Sequence, residues 1–479
     1  MGGLSKKAHL IKSRKASTGA SHLLLDGGNL LFKKTAPAAS PSQPVIQANG
    51  IIEAYQVMGY DAVAVGPRDL NSGLDLLIRS RDNDFPWISA NLTDSDGNTP
   101  FPSHFMVNKG GLRIAIIGLT GTLNSDSKEL SVNPWQSVLP GLIEDISSRC
   151  DLIILLSSLK VEDNKIIANR FDQINIIFGS DPARGNNRPQ LINSSLLTQT
   201  SSRGKYQGLL EIFPGQSQQW VQPATTELSK LQNRLGALNW QLKRARKRQT
   251  NSNGKNSEAI KRIEQNRTEV MNSLASLEKQ LKEEAAQGVS GTRFKNTFIG
   301  LKRTLADDRQ VETIVYETKK EVAEFNHSQK EKRQNKSGAV NSANGLQPSP
   351  LVGFSACGEC HENQSKFWQA TSHARAYETL KEKKQALNLD CLPCHVTMTP
   401  AQVNNGQNLE QLLHLPPELQ TIGCESCHYG PSRDHTKDPE RFKMVRRSGK
   451  AVCVRCHQGE RDDDFSYEEK LELISCPAG

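Results

Sequence analysis

Five short apolar runs punctuate the first half of the chain: HLLLD (22–26), AVAV (62–65), LRIAIIGL (112–119), DLIILL (151–156) and INIIF (174–178). Each run suits a strand buried on both faces. Helical patterns at 45–59 and 137–149 lie between some of them. Such alternation predicts a largely parallel or mixed sheet covered by helices. Asp26, Gly66, Ser157 and Gly179 follow strands, where α/β proteins usually place their chemistry.

The period changes after residue 222. Leu228, Leu231, Leu235, Leu238 and Leu242 recur every three or four positions, as do Ile260, Ile263, Val270, Leu274, Leu277 and Leu281, with Arg267 in one seam position. RQTNSNGKNS between them has turn composition, so the pattern predicts an antiparallel helical hairpin of coiled-coil type. Residues 291–330 read as helical and polar, and 330–350 as a linker. Four segments result: an α/β domain (1–222), the hairpin (224–287), a helical segment and linker (288–350), and a C-terminal domain (351–479). At 479 residues, about three domains of ~150 residues are expected.

Charge modifies this picture modestly. The balance is +9, much of it in the middle segment, including KRARKR (243–248) at the hairpin tip. That tip reads as a solvated helix end, with docking to an acidic partner and self-association through the hairpin as the alternatives. Nucleic acid is not an expected partner. No run reaches the 18 or so apolar residues that span a bilayer, so no transmembrane segment is expected. MGGLSKKAHL has basic residues but no apolar stretch after them, hence no secretory signal, and Lys6 stands where a myristoylation motif needs Ser or Thr.

The cysteines carry the chemistry. Of ten, eight fall in four CxxCH strings: Cys357-Cys360-His361, Cys391-Cys394-His395, Cys424-Cys427-His428 and Cys453-Cys456-His457. CxxCH is the attachment signature of c-type haem. Two intervening residues let one helical turn present both sulfurs to one porphyrin edge, and the following His binds iron. Zinc ribbons pair CxxC units ~15–20 residues apart and need no His after each. Here 25–30 residues separate the units. Four covalent haems are therefore the expected cofactors, with His361, His395, His428 and His457 as proximal ligands. Only His373, His414 and His435 remain in this domain as distal candidates, with Met398, Met444 and the upstream His327 as weaker ones. Three spare His for four irons suggests three bis-His haems and one that differs. So many haems in a short domain must themselves form much of its core. Cys150 reads as a small buried residue; Cys476 is left over.

Residues 351–474 (FSACGECHENQSKFWQATSHARAYETL, LDCLPCHVT, TIGCESCHYGPSRDH and CVRCHQGERDDDFSYEEKL) resemble the tetrahaem cytochrome c-554 family. The segments Trp368 to His373 and Cys424 to His435 match its motifs. The resemblance implies electron carriage, three bis-His haems and one five-coordinate haem, the second along the chain, with His395 as its proximal ligand. Residues 1–222 resemble the metallophosphatase half of bacterial 5′-nucleotidases through GGLSKKAHLI, LLLDGGNLLF, IIEAYQVMGYDAVAVGPRDLNSG and GKYQGLLEIF. The family's metal ligands are replaced: its G-D is Gly28-Asn29, its G-N-H-E is Gly66-Pro67-Arg68-Asp69, its L-S-H is Leu156-Ser157-Ser158 and its G-H-x-H is Gly179-Ser180-Asp181-Pro182. His9, His22 and His104 stand at none of these strand ends. Asp26 and Asp69 then read as structural or capping residues.

The expected fold is thus multidomain: a metallophosphatase-like α/β sandwich, a helical hairpin, and a mostly α or irregular tetrahaem cytochrome c domain. The expected function is electron transfer in an extracytoplasmic (periplasmic) redox chain, with no catalytic residues and an inactive phosphatase-like scaffold. Expected partners are other cytochromes or a quinol-linked oxidoreductase. The rivals are an oxidoreductase acting on a small nitrogen or sulfur species at an open haem, a subunit of an extracellular haem wire, and an active 5′-nucleotidase. Because thioether attachment requires export, and because the resemblance begins one strand late, Met1 is expected to be internal to a longer natural chain.

Overall fold

The computed structural model describes residues 3–33, 41–123, 129–201, 204–215, 217–220, 223–249, 257–286, 291–302, 304–338, 350–398, 409–457, 462 and 465–477. The chain divides into two compact units, one made of 6–36 and 58–306, the other of 1–5, 37–57 and 307–479.

In the first unit the long apolar runs become the centre of a six-stranded sheet. Leu112–Leu119, Leu152–Ser157, Ile176–Gly179 and Ser195–Gln199 pair in parallel. His104–Lys109 and Asn187–Ile192 close the two edges antiparallel. Alternation along these strands explains why the runs are continuous. Ala115, Ile117, Leu119, Ile153, Leu155 and Ile177 pack under the helices Trp135–Ser147 and Val161–Arg170. Ile114, Ile116, Ile154, Leu156 and Ile176 point the other way, onto Ala62, Ala64 and Ile88. Those last residues belong to a small parallel sheet of Leu25–Asp26, Ala62–Ala64 and Trp87–Ile88. Residues on both faces leave water, worth about 1.5–3 kcal/mol for each large side chain. Cys150, expected to be buried, is only partly so: it packs beside this core just past the helix Trp135–Ser147, and its thiol donates to Ile146 O at 3.3 Å.

The hairpin forms from Pro223–Gln249 and Ser257–Ala286. Leu228, Leu238, Val270 and Leu274 are its buried seam, flanked by Leu231, Leu235, Ile263 and Leu277. Arg246 near the end of the first helix meets Glu264 early in the second at 2.6 Å. The connecting turn, the Leu281 side chain and most of the KRARKR side chains lie outside the described residues.

The helical expectation for 291–330 fails at its start. Gly291–Gly300 is a strand, antiparallel to Tyr206–Phe213 from Tyr206↔Gly300 to Phe213↔Arg293. Its Phe294, Thr297, Phe298 and Ile299 are aromatic or β-branched and favour strand, but the partner is some 80 residues away in sequence. The helix begins only at Arg309 and runs to Gly338.

The second unit groups residues 37–57, from within the 1–222 segment, with the CxxCH region. Gln43 begins the helix Gln43–Met58 and is 4% exposed. Its amide donates to Asn388 Oδ1 at 3.0 Å and accepts from Asn326 Nδ2 at 2.8 Å and Leu389 N at 3.0 Å. Gln47 adds a 2.9 Å bond to Asp390. Past residue 350 the described residues form short helices and turns with no strand. Their small apolar cluster is Tyr377, Leu380, Leu392, Val396, Met398, Leu412 and Leu413.

Candidate haem centres

Each CxxCH string folds as one tight turn. His361 N, His428 N and His457 N donate to Cys357 O, Cys424 O and Cys453 O at 3.0, 2.8 and 2.9 Å. In the second string Cys394 N bonds Cys391 O at 3.1 Å and His395 N bonds Leu392 O at 2.9 Å. A turn of this pitch sets two thiols three residues apart on one face. Gly353, at φ +85°, allows the first turn to begin where a Cβ would lie 2.7 Å from Glu418. Glu425, buried inside the third string, accepts from Val352 N and Gly353 N at 2.9 Å each, tying the third turn to the first.

The strings converge through their sulfurs. Cys357 and Cys424 share a thiol hydrogen bond, which pushes Cys357 up and Cys424 down. Burial pushes Cys427 up to about 11, with Cys453 and Cys476 adding to it. All ten cysteines are free thiols in this structure, Cys476 among the exposed ones.

The imidazoles are organised more tightly than the thiols. The His395 Nδ1 lies 2.6 Å from Ala376 O, His428 Nδ1 2.9 Å from Val445 O, and His435 Nδ1 2.6 Å from Phe442 O. His457 Nδ1 lies 2.9 Å from the Asp462 carboxylate. An Nδ1–H held in this way fixes the tautomer and spares Nε2 for a metal. His361 and His435 have ring centroids 6.5 Å apart and planes within 8°. His373 and His457 are 6.1 Å apart at 53°. Two imidazoles on opposite sides of one metal, each bound at about 2.0 Å, have centroids about 6 Å apart. Both centroid separations match that span. Burial and the neighbouring His457 hold the His373 pKa below the ordinary histidine value. His373 is placed by Trp368, whose indole donates to Ile422 O at 2.9 Å, and by Thr421, whose hydroxyl reaches His373 O at 3.1 Å.

The other distal candidates fall elsewhere. His414 is exposed at the end of Leu409–His414. Met398 is buried in the apolar cluster. Met444 packs over Gly430, and His327 is exposed beside Glu331. The residues behind the imidazoles leave little trace in the sequence. Ala376, Val445 and Phe442 act through backbone carbonyls, which no side-chain pattern reveals. Asp462 is the exception, an acidic residue five positions after His457 in RDDDF.

At the strand ends of the other unit the polar atoms turn inward. Asp69 is fully buried and accepts from Asn29 N, Leu31 N and Gly66 N at 2.8, 2.8 and 2.9 Å. Burial raises its pKa to about 7 against the pull of these donors. Asn29, at φ +59°, accepts from Arg68 N at 3.1 Å and donates to Ser180 O at 3.1 Å. Ser180 Oγ donates to Gly27 O at 2.7 Å, and Ser158 Oγ accepts from Gly121 N at 2.8 Å. A Cβ on Gly66 would stand 2.3 Å from Asn29 N, so the space between these loops is filled by their own atoms. Among the described residues no three His, Cys, Asp or Glu side chains converge as a metal cage.

Residues 356–429 match the family model of cytochrome c554 and c-prime. A cytochrome c-554 from Nitrosomonas europaea is 34% identical over 142 residues, 26% of this chain and 56% of that protein. The N-terminal region matches other proteins. A 5′-nucleotidase from Vibrio parahaemolyticus is 36% identical over 104 residues, 21% of this chain and 18% of its own. An uncharacterized metallophosphoesterase from Bacillus subtilis, YunD, is 28% identical over 153 residues, 31% of this chain and 33% of its own. The chain therefore spans little more than half of the cytochrome and a third or less of the phosphoesterases. Among solved structures, the sulfate thiohydrolase SoxB of Thermus thermophilus aligns with TM-score 0.44 and 13% identity, over 66% of this chain and 46% of that one. The cytochrome c554-like region implies covalently bound c-type haem, and a 5′-nucleotidase-like region precedes it in the same chain.

Proposed function

We propose that this chain carries electrons through four covalently attached haems in an extracytoplasmic redox chain, with residues 1–222 as a scaffold that does not hydrolyse phosphate esters. The observation that supports the reading is the two imidazole couples, His361 with His435 and His373 with His457, at centroid separations of 6.5 and 6.1 Å that an iron could span. The thiols Cys357 and Cys360, Cys391 and Cys394, Cys424 and Cys427, and Cys453 and Cys456 hold the porphyrins. His361, His395, His428 and His457 would each hold an iron through the nitrogen left free. Bound haem supplies one-electron redox chemistry, at a potential set by axial ligand and surroundings. The protein's part is to clamp each imidazole by Nδ1 and to bring the attachment turns together, which favours transfer between neighbours. The matching partner is another redox protein, such as a cytochrome or a quinol-linked oxidoreductase. His373 and His435 lie near His457 and His361, and neither lies near His395 or His428, which keeps an oxidoreductase reading at an open haem as a rival.

A pyridine haemochrome titration against protein mass tests the core claim, with four haems expected and two or fewer overturning it. A high-spin ferric signal for one haem keeps the oxidoreductase rival alive. For the scaffold, no metal-dependent hydrolysis of nucleotides is expected with added manganese or zinc. Turnover abolished by Asp26→Ala would overturn that part.

A further inference from the structure

Four imidazoles held through Nδ1 among the described residues past 350 are not held alike. His395, His428 and His435 face neutral backbone carbonyls at 2.6, 2.9 and 2.6 Å. His457 alone among them faces a carboxylate, Asp462 Oδ2 at 2.9 Å. The two side chains are 35% and 34% exposed, so this is a half-sheltered contact and not a solvated surface pair. The same short segment grips the ring a second time. Phe465 lies over His457 with centroids 4.6 Å apart and planes within 15°, and Phe465 N donates to Asp462 O at 3.2 Å. The imidazole is thus fixed in rotation by an aromatic face and in tautomer by a charged acceptor, and the His373 ring centroid lies 6.1 Å away.

We propose that Asp462 is a positioning and tuning residue, which lowers the reduction potential of the haem bound by Cys453, Cys456 and His457 below what a carbonyl acceptor would give. This rests on His457 being an iron ligand, as proposed above. A charged acceptor makes a stronger hydrogen bond than a neutral one. By drawing on the Nδ1 proton it increases the electron donation of Nε2. Stronger axial donation favours the ferric state, and hydrogen bonding behind the axial ligand is a recognised lever on haem potential. Asp462 therefore biases electrons away from the His457 end of the set and gives four similar attachment motifs a direction. Phe465 preserves the geometry on which this effect depends.

The test uses the full-length holoprotein. Wild-type, Asp462→Asn and Asp462→Glu proteins are titrated spectroelectrochemically after their haem content is measured. In Asp462→Asn one of four Nernst components is expected to move upward by about a tenfold change in ferric preference, about 59 mV for one electron. The other three stay in place and the spin state of each haem is the same as in the wild type. Asp462→Glu, which keeps the carboxylate, returns the component toward its wild-type position. Four unmoved components, or equal shifts in Asn and Glu, overturn the proposal. If Asp462→Asn loses a haem, reduced wild-type protein labelled with 15N-histidine decides. One axial Nδ1 proton should then resonate downfield of the others, and a uniform set would overturn the assignment. A wild-type content below four haems would sink the haem reading itself. A full complement with unmoved potentials would sink only the role of Asp462.

Discussion

The strand ends of the α/β unit and the imidazoles of the CxxCH unit both carry polar side chains where a family resemblance places chemistry, and they treat those side chains in opposite ways. Asp69, Asn29, Ser158 and Ser180 direct their hydrogen-bonding atoms at neighbouring backbone, within loops so close that Gly66 touches Asn29. His435 and His457 commit one nitrogen to a nearby acceptor, and each has another imidazole with its centroid about 6 Å away. A buried polar group needs its partners in either case. The difference lies in what is left over. A side chain whose donors and acceptors all end on its own backbone is a structural cap. A side chain held by one atom with another spared has an atom left with which to bind a ligand.

The largest effects come from removing what is spared. Cys357→Ser with Cys360→Ser should reduce covalent haem by one quarter, read by haemochrome absorbance per mole of protein. His435→Ala should keep all the haem but convert one low-spin ferric signal to high spin, read by electron paramagnetic resonance. The converse change, Asn29→Asp with Ser180→His, restores ligand types to the other site. It should yield no metal-dependent hydrolysis, because the loop space is already filled. Hydrolytic activity in that variant would break the contrast.

Next in size is the buried carboxyl of Asp69, which burial and the nearby Asp26 push up to about 7, while three backbone donors pull it down. A folded-state value above the ordinary 3.8 means the folded chain holds this proton more tightly than the unfolded chain. The stabilisation is complete below about pH 4 and is lost as pH rises through about 7. The span corresponds to something on the order of 4 kcal/mol. Chemical denaturation across that range should show the decline, and Asp69→Asn should flatten it. Asp69→Ala should cost several kcal/mol at any pH, since each orphaned backbone N–H costs about 1–3 kcal/mol.

The sequence exposed these two regions unequally. The sheet was legible because LRIAIIGL and DLIILL are buried on both faces, and a continuous apolar run too short for a helix has almost nowhere else to go in a folded chain. The candidate attachment residues stand out because CxxCH compresses its pattern into five positions. The strand Gly291–Gly300 was not, because its identity depends on pairing with Tyr206–Phe213 across the intervening hairpin. The pairing of His361 with His435 and of His373 with His457 was equally hidden. Three spare histidines can be counted in a sequence, but which rings face each other is a product of tertiary packing. Asp462 leaves a trace, as an acidic residue five positions after His457, but which acidic residue of RDDDF meets Nδ1 is set by folding.

The smallest prediction concerns Gln43, which belongs to the resemblance with one family and hydrogen-bonds residues of the other. Its amide joins Asn388 and Leu389, just ahead of Cys391, to Asn326 of the helix Arg309–Gly338. Asn388 Oδ1 also accepts from Asp390 N, and Asn326 Nδ2 also donates to Leu387 O. Those two amides therefore keep a partner when Gln43 is shortened, and Leu389 N bears the main loss. Gln43→Ala should cost about 1–3 kcal/mol, the usual range for one buried group left unsatisfied. A fall in thermal midpoint with haem content unchanged is the expected result. Gln43→Glu separates packing from polarity. It keeps the acceptor for Asn326 and Leu389 but sets a carboxylate against Asn388 Oδ1, so it should destabilise even though its shape is nearly the same. If Gln43→Ala and Gln43→Glu both leave the midpoint unmoved, this network is not what fixes the segment before the second attachment motif, and the contrast between filled caps and spared ligands narrows to the imidazoles alone.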